Sequence, residues 1–371
     1  MRFVAYLVGG TIAFVALHAS LLMLHDPPDA AAERTPPQKI TRAPSVPGEA
    51  TLLFAGDTAE IDAGESTFLR NGYEYPFTRT IDLIRDADVA IANAEAPITD
   101  GGRRFPIYKD YTYRAPARSA DALAWAGFDV LTLANNHALD YGAEGLRDTI
   151  ANAARVGMAT AGAGADPAEA RRALVIAVGD VRIGLLAYCE KQLLWRVYVD
   201  QFARRGHAGV AALVDDDLAH DIARLRPQVD VLIVSLHVGY NYRPTLPSTL
   251  RWSERAIDLG ADLVVDHHPH VAHPVLVHHG KPILLSLGNY AFSTPGHPEL
   301  DHGLIAIAHL TNKRLDRIEL VPLAVQNRDV EFRPEPLRDE PLARALERLR
   351  ADSAPLGADV RIERGRGILY L

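Results

Sequence analysis

The sequence predicts an α/β fold in which helices cover a sheet, and three observations predict it. From Thr51 onward, short apolar runs of strand length alternate with stretches whose apolar residues recur at helical spacing. Almost every polar cluster stands at the end of one of those runs, where open α/β sheets gather their ligand sites. The composition, 48% hydrophobic against 23% charged, is that of a globular chain with a core to bury. At 371 residues the length fits about two ordinary domains or one large α/β unit.

The chain opens on an uncharged, mostly apolar stretch over residues 3–24, with Arg2 before it and Asp26, Pro27 and Pro28 after it. As a helix rising 1.5 Å per residue it would cover roughly 30 Å of hydrocarbon. Residues 1–26 are therefore expected to form a membrane anchor or signal segment. The length of the run, and the distance to the first small-residue cleavage site near Ala30, favour an uncleaved anchor. Arg2 and the α-amine keep the N-terminus in the cytoplasm, so the expected location is the cell membrane, single-pass, with the folded domain periplasmic or extracellular. Residues 27–49 are proline-rich and polar and read as an extended linker.

The folded unit is expected over residues 50–312. Strands are expected at 51–55, where Gly56-Asp57 stops a β-rich run, and at 89–92, 130–133, 182–187, 231–236, 263–265 and 283–287. Helical spacing is found at 76–86, 119–126, 142–156, 215–225 and 250–259. Residues 313–371 read as a C-terminal extension that packs on the same domain, with a charged helix at 341–350 and a final apolar run at 367–371.

Charge and cysteine usage exclude several classes. There are 39 Lys+Arg against 47 Asp+Glu, a net charge of −8, which argues against a nucleic-acid partner. A single cysteine, Cys189, excludes both a disulfide framework and a Cys-built zinc site. Any metal must use His, carboxylate or amide ligands, and seven of the 15 His fall between His237 and His279.

The strand ends carry the candidate chemistry. Asp57 follows the first run, Glu95 the second, and Asn136 and His137 the third; His237, then His268 and His270, then Asn289 follow later ones. Carboxylates, imidazoles and an amide oxygen on one edge are ligands for a divalent transition metal such as Mn, Fe or Zn. Two such ions generate hydroxide and clamp both oxygens of an in-line displacement. Each residue also has a plainer reading. Asp57 after glycine is a common turn cap, Glu95 in an apolar setting fits a salt bridge, Asn135-Asn136-His137 fits an Asn-rich turn, and His237 alone reads as a core histidine. Asp140 is close enough in sequence to fix the His137 ring. The sharpest feature is Asp266-His267-His268-Pro269-His270, in which two imidazoles flank a proline. His278 and His279 read as a solvated hairpin turn outside the site, and the roles of Asp266, His267 and His273 stay open. No Gly-x-Ser-x-Gly elbow is present, and Cys189 has no nucleophile motif.

Read in order, FAGDT, ADVAIANAEAPIT, FDVLTLANNHALDYGAEGLRDT, VDVLIVSLHVG, GADLVVDHHPHV and KPILLSLGNYAF resemble the successive motifs of the CapA family, the poly-γ-glutamate capsule biosynthesis proteins. That family looks like a branch of the calcineurin-like metallophosphatases. The resemblance implies a four-layer α-β-β-α sandwich with a two-metal site at the strand ends. It implies that Asp57 is the first metal-binding aspartate, that Glu95 stands where a phosphatase has its bridging aspartate, and that Asn136, His237, His268 and His270 are further ligands. His137 would protonate the leaving group or steady the transition state, with Asp140 beside it as a catalytic partner. The 286–289 segment matches a family signature with a structural or substrate-facing role. Two departures stand out. Ala59 occupies the position where phosphatases usually carry a histidine, so one metal site is expected to be weaker or to use another ligand. Asp266 replaces the glycine common before the paired histidines.

The expected function is that of a membrane-anchored, extracytoplasmic, metal-dependent hydrolase-like protein acting in poly-γ-glutamate synthesis, export or anchoring. Its partners would be an anionic polymer, the membrane and other capsule-synthesis subunits. Arg103, Arg104 and Arg114 would attract the polymer locally despite the net charge. The alternatives are a non-catalytic polymer-binding scaffold of a membrane synthetase, and a general periplasmic metallophosphoesterase.

Overall fold

The structure is a computed structural model that describes residues 36–44, 46, 48–104, 109, 111–191, 201–294, 296–298 and 301–371. The expected anchor lies outside the described residues; among them, no helix is long and apolar enough to cross a membrane. The main strands, in chain order, are β1 (Gln38–Arg42), β2 (Glu49–Ala59), β3 (Val89–Ala94), β4 (Val130–Thr132), β5 (Ala159–Ala161), β6 (Leu174–Val178), β7 (Val181–Glu190) and β8 (Val231–His237). They continue as β9 (Leu263–His267), β10 (Val275–His278), β11 (Lys281–Leu284), β12 (Asn289–Phe292), β13 (Gly303–Thr311), β14 (Arg314–Ala324), β15 (Val360–Glu363) and β16 (Arg366–Tyr370). The longer helices are α1 (Arg118–Ala126), α2 (Gly142–Arg155), α3 (Asp215–Leu225), α4 (Pro247–Asp258) and α5 (Asp339–Ser353).

The fold is mixed α/β and rich in sheet. One sheet runs β1-β6-β7-β8-β9-β11-β10, and the other runs β15-β16-β14-β13-β2-β3-β4-β5 with β12 beside β2. Strands β2 to β5 are mutually parallel, as are β7, β8, β9 and β11. Parallel strands covered on both faces read as near-continuous apolar runs, and β3 and β8 are buried along their whole length. Alternation along β7 and β8 divides their side chains between two cores. Ile183, Leu185 and Ile233 join Leu53, Ile91 and Leu131 of the other sheet in one cluster. Leu186, Tyr188, Leu232 and Val234 join Leu218 and Ile222 of α3 and Ala256 and Ile257 of α4 in a second. β14 to β16 and α5 build out the far edge of the second sheet, with β14 pairing antiparallel to both β13 and β16.

Three stretches depart from expectation. Residues 27–49 read as an extended linker, but within them β1 (Gln38–Arg42) pairs parallel with β6 at the edge of the first sheet, from Gln38 beside Leu174 to Arg42 beside Val178. The single helix expected at 76–86 is divided into a short 3₁₀ turn, Tyr75–Phe77, and a helix, Ile81–Arg85. Between them Thr80 donates its hydroxyl to the Phe77 carbonyl at 3.2 Å, a side-chain bond that competes with the helix ladder. The strand expected at 283–287 stops at Leu284. Ser286 Oγ accepts the Gly288 N–H at 3.1 Å, and Gly288 turns the chain at φ 67°.

Candidate metal centre

The parallel strands of both sheets bring their carboxyl ends to one place. Asp57 lies near the end of β2, Glu95 directly follows β3, Asn136 and His137 follow β4, His237 ends β8, and His268 and His270 follow β9. All of these side chains are buried. Asp57 owes its aim to a bulge: the β2–β3 register shifts between Ala55 and Asp57, leaving Gly56 as the extra residue. Gly56 must be glycine, because a Cβ there would sit 2.0 Å from the Gly288 carbonyl oxygen, which also accepts the Asp57 N–H at 2.9 Å. The 286–289 signature therefore has a structural part. Its last residue, Asn289, also reaches the centre, with Oδ1 2.9 Å from His270 Nδ1. His268 and His270 themselves hold left-handed backbone, φ 100° and 60°, strain of the kind that collects at functional sites.

Within this edge two groups of ligand atoms form. Asp57, Glu95 and His237 make one, and Glu95, His268 and His270 the other, each with its atoms within 4.8 Å of one another. Glu95 is common to both. Its Oε1 lies 3.4 Å from His237 Nε2 and 3.8 Å from His270 Nε2. Asn136 Oδ1 is 2.9 Å from His237 Nε2. Asn93, which the sequence does not mark, donates to Asp57 Oδ1 at 2.8 Å and to Glu95 Oε2 at 3.4 Å.

The donor set fits a divalent cation. Asp57 Oδ2 and Glu95 Oε1 are buried and have no hydrogen-bond partner among the described residues. Buried carboxylate oxygens are costly unless something positive or a donor meets them. Burial first, then the charge of Asp57, pushes the Glu95 carboxyl well above its usual range. For Asp57 the burial penalty is outweighed by His267 and His270, which hold it well below that range. Burial and the neighbouring imidazoles bring His237 well down and His268 to about 3. Imidazoles beside carboxylates and an amide oxygen, with no thiolate, are compatible with divalent metal binding. Cys189 is buried, with Gln201 Nε2 3.6 Å from its sulfur.

His137 belongs to a neighbouring arrangement. Its Nδ1 lies 2.6 Å from Asp140 Oδ2, which also accepts the Tyr113 N–H at 2.7 Å. The other Asp140 oxygen pairs with Lys109, whose ammonium lies 2.8 Å from the Asn136 carbonyl and 3.0 Å from His137 Nδ1. Burial, then the Lys109 charge, lowers the His137 imidazole to about 4. The Tyr113 ring covers His137 at 4.2 Å between centroids. Sequence reasoning misses both Lys109 and Tyr113; they come from a loop without periodicity, and nothing in their local sequence marks them.

Residues left open by the sequence now have places. Asp266 faces α4, where Ser253 donates to it at 2.6 Å, and burial raises its carboxyl well above the usual range. It lies outside the centre. His267 faces the other way, with Nδ1 3.3 Å from Asp57 Oδ1. Alternation along β9 puts it on the face opposite Asp266. His273 bonds Thr245 Oγ1 at 2.7 Å, and His278 meets Asp258 at 2.8 Å on the surface. Ala59 is buried with Ile61, Ala96 and Phe292 in an apolar cluster. Beside the centre opens a cleft of about 420 Å³, lined by Tyr242, Arg243, Val271, His273 and, from α5, Arg348 and Leu349. Tyr242 joins cleft to centre, with its ring 5.8 Å from that of His270.

Fold and site define a protein of paired mixed sheets with a buried strand-end centre suited to divalent metal. The chain belongs to the bacterial capsule synthesis protein PGA_cap family, whose family model matches residues 51–294, about two thirds of its length. It is 33% identical over 227 residues to the "Probable polyglutamine synthesis accessory protein Rv0574c" of Mycobacterium tuberculosis (strain ATCC 25618 / H37Rv). That match covers 58% of this chain and 59% of the mycobacterial protein, so the chain spans less than two thirds of this relative's length. It is 28% identical over 292 residues to the PGA biosynthesis protein CapA of Bacillus subtilis (strain 168), covering 78% of this chain and 74% of that protein. A solved structure, TT1561 of Thermus thermophilus, aligns with a TM-score of 0.39 and 9% identity over 69% of this chain and 93% of that one.

Proposed function

We propose that this protein is an extracytoplasmic, metal-dependent hydrolase-like protein that acts in the synthesis, export or anchoring of poly-γ-glutamate, held to the membrane by residues 3–24. The observation that carries the reading is the pair of buried ligand groups sharing Glu95. The family and the names of the relatives supply the polymer. Asp57, Glu95, Asn136, His237, His268 and His270 would hold two divalent ions in a metallophosphatase-like sandwich. When bound, such a pair lowers the pKa of water and stabilises the oxyanion of a phosphoester or amide displacement.

The chain's own residues supply the rest. Asp140 accepts the Nδ1–H of His137 and is itself held by Lys109, which fixes the ring and leaves Nε2 to exchange a proton with the reacting group. Because burial and Lys109 keep His137 neutral at neutral pH, the proton it hands on must come from the nucleophile or from solvent. The cleft beside Tyr242 offers room for a segment of chain next to the reacting bond, with Arg243 at its rim for a carboxylate. Arg114, stacked over Tyr141 at 4.7 Å, adds positive charge nearby.

A strain lacking the gene, complemented with His137→Ala, tests this. Polymer output below about one hundredth of the wild-type complement is expected, as removal of a general acid–base group costs about 10²–10⁴-fold. Full restoration would instead support the non-catalytic scaffold, a reading that the apolar setting of Ala59 favours.

A further inference from the structure

We propose that His267 is a metal ligand of this centre, partnered with Asp57, an inference that rests on the metal reading above. The position follows from the strand. β8 and β9 are parallel, with His237 and His267 paired in register, so the two imidazoles stand side by side on one face of the sheet. Asp266, one residue earlier, takes the opposite face and bonds Ser253. His267 is buried, and its Nδ1 has no hydrogen-bond partner among the described residues.

Its distance from Asp57 separates two roles. Charge-assisted N–H···O bonds close at about 2.7–2.9 Å. Where both partners are buried the chain achieves this, with Arg171 2.8 Å from Asp221, whereas spacings such as the 3.3 Å of Arg361 to Asp359 belong to exposed pairs. His267 Nδ1 stops at 3.3 Å from Asp57 Oδ1, and its in-register neighbour His237 stops at 3.4 Å from Glu95 Oε1. Two ligand atoms held about 2.1 Å from one ion, at angles of about 90–109°, lie about 3.0–3.4 Å apart. The spacing is that of an edge of a coordination shell. Among the described residues, the other side-chain donor at hydrogen-bond length from Asp57 Oδ1 is Asn93 at 2.8 Å. His267 thus supplies an imidazole on the Asp57 side of the centre, where Ala59 supplies none.

The test is metal content of the purified full chain, wild type against His267→Ala, after loading with Mn²⁺ or Co²⁺ and buffer exchange. Wild type is expected to keep two ions per chain. The variant should keep one, with affinity for the other reduced by about 100-fold or more, since even the outer partners of ligands are worth about 10–100-fold. Free imidazole should restore the second ion, which filling a merely structural gap would not do. The melting temperature in EDTA checks that the variant folds. If the alanine variant does not fold, His267→Leu refills the buried volume with a side chain that carries no donor atom, and the same loss of one ion is expected. Two ions retained at unchanged affinity in either variant would overturn the proposal while leaving the centre intact. A wild type that holds no transition metal would overturn the metal reading itself.

Discussion

The parallel strands treat their acidic residues in opposite ways at their two ends. At the amino ends, Asp88, Asp129, Asp230 and Asp262 each stand just before a strand, and each accepts a backbone N–H from the strand beside it. The donors are Thr51 at 2.8 Å, Ala90 at 2.9 Å, Arg182 at 2.7 Å and Leu232 at 2.9 Å. Cations meet these sites as well: Arg42 lies 2.6 Å from Asp129, Arg182 lies 3.7 Å from Asp230, and Arg226 and Lys281 meet Asp262 at 2.5 and 2.7 Å. At the carboxyl ends, Asp57 and Glu95 share one amide donor, Asn93, and sit near enough for Asp57 to raise the Glu95 pKa. One edge locks neighbouring strands together. The other concentrates unmet acceptors, the arrangement a bound cation would relieve and a stable fold would avoid.

Replacing the shared carboxylate probes this contrast most strongly. Glu95→Gln keeps the shape but removes the charge common to both ligand groups, so both ions should be lost, with affinity down about 100-fold or more. In EDTA the same variant should melt at or above the wild-type temperature, because the buried charge is unfavourable there. A lower melting temperature in EDTA would show that the carboxyl-end acids are structural after all. At the opposite edge, Asp262→Asn should leave metal content unchanged and cost about 2 kcal/mol in urea unfolding, since it weakens hydrogen bonds to two cations and a strand N–H. Equal stability of this variant and wild type would remove the distinction between the edges.

The sequence reveals this division only in part. Strands β3, β4, β8 and β9 are each announced by an acidic residue before an apolar run, in ADVAIA, FDVLTL, VDVLIV and ADLVVD, and each candidate ligand by its place after or at the end of one. Such local patterning places Asp57, Glu95, Asn136, His137, His237, His268 and His270 at strand ends, and the fold brings them together. Partnerships across the chain leave no such trace. Lys109 reaches Asp140 from a loop without pattern, and Asn93 reads as one more small residue in a buried strand. The Thr80 to Tyr290 hydroxyl contact, at 2.5 Å, joins residues more than half the chain apart and accompanies a break where helical spacing predicts continuity. His267 escapes the sequence for another reason: the His-x-His spacing singles out 268 and 270, while the period-2 strand pattern that places 267 on the site face ends just before them.

Acid should act on the two edges with different strengths. Burial alone would raise the Asp262 carboxyl, but Lys281, Arg226 and the Leu232 N–H outweigh it and hold the folded-state pKa below the ordinary value. The folded chain then binds this proton more weakly than the unfolded chain does, so the group contributes stability fully above the unfolded pKa of about 3.9. That contribution is lost as pH falls through the folded value. Partial exposure of Lys281 and Arg226 to solvent screens the pair, so the effect is the smallest of the three. Urea midpoints of metal-free protein between about pH 6 and pH 3 should therefore fall less steeply for Asp262→Asn than for wild type below about pH 4. The gap between the two should be widest at neutral pH and close toward pH 3. A gap that stays constant through that range would mean that Asp262 locks its strands by shape and neutral hydrogen bonding, with its charge contributing nothing to the stability of that edge.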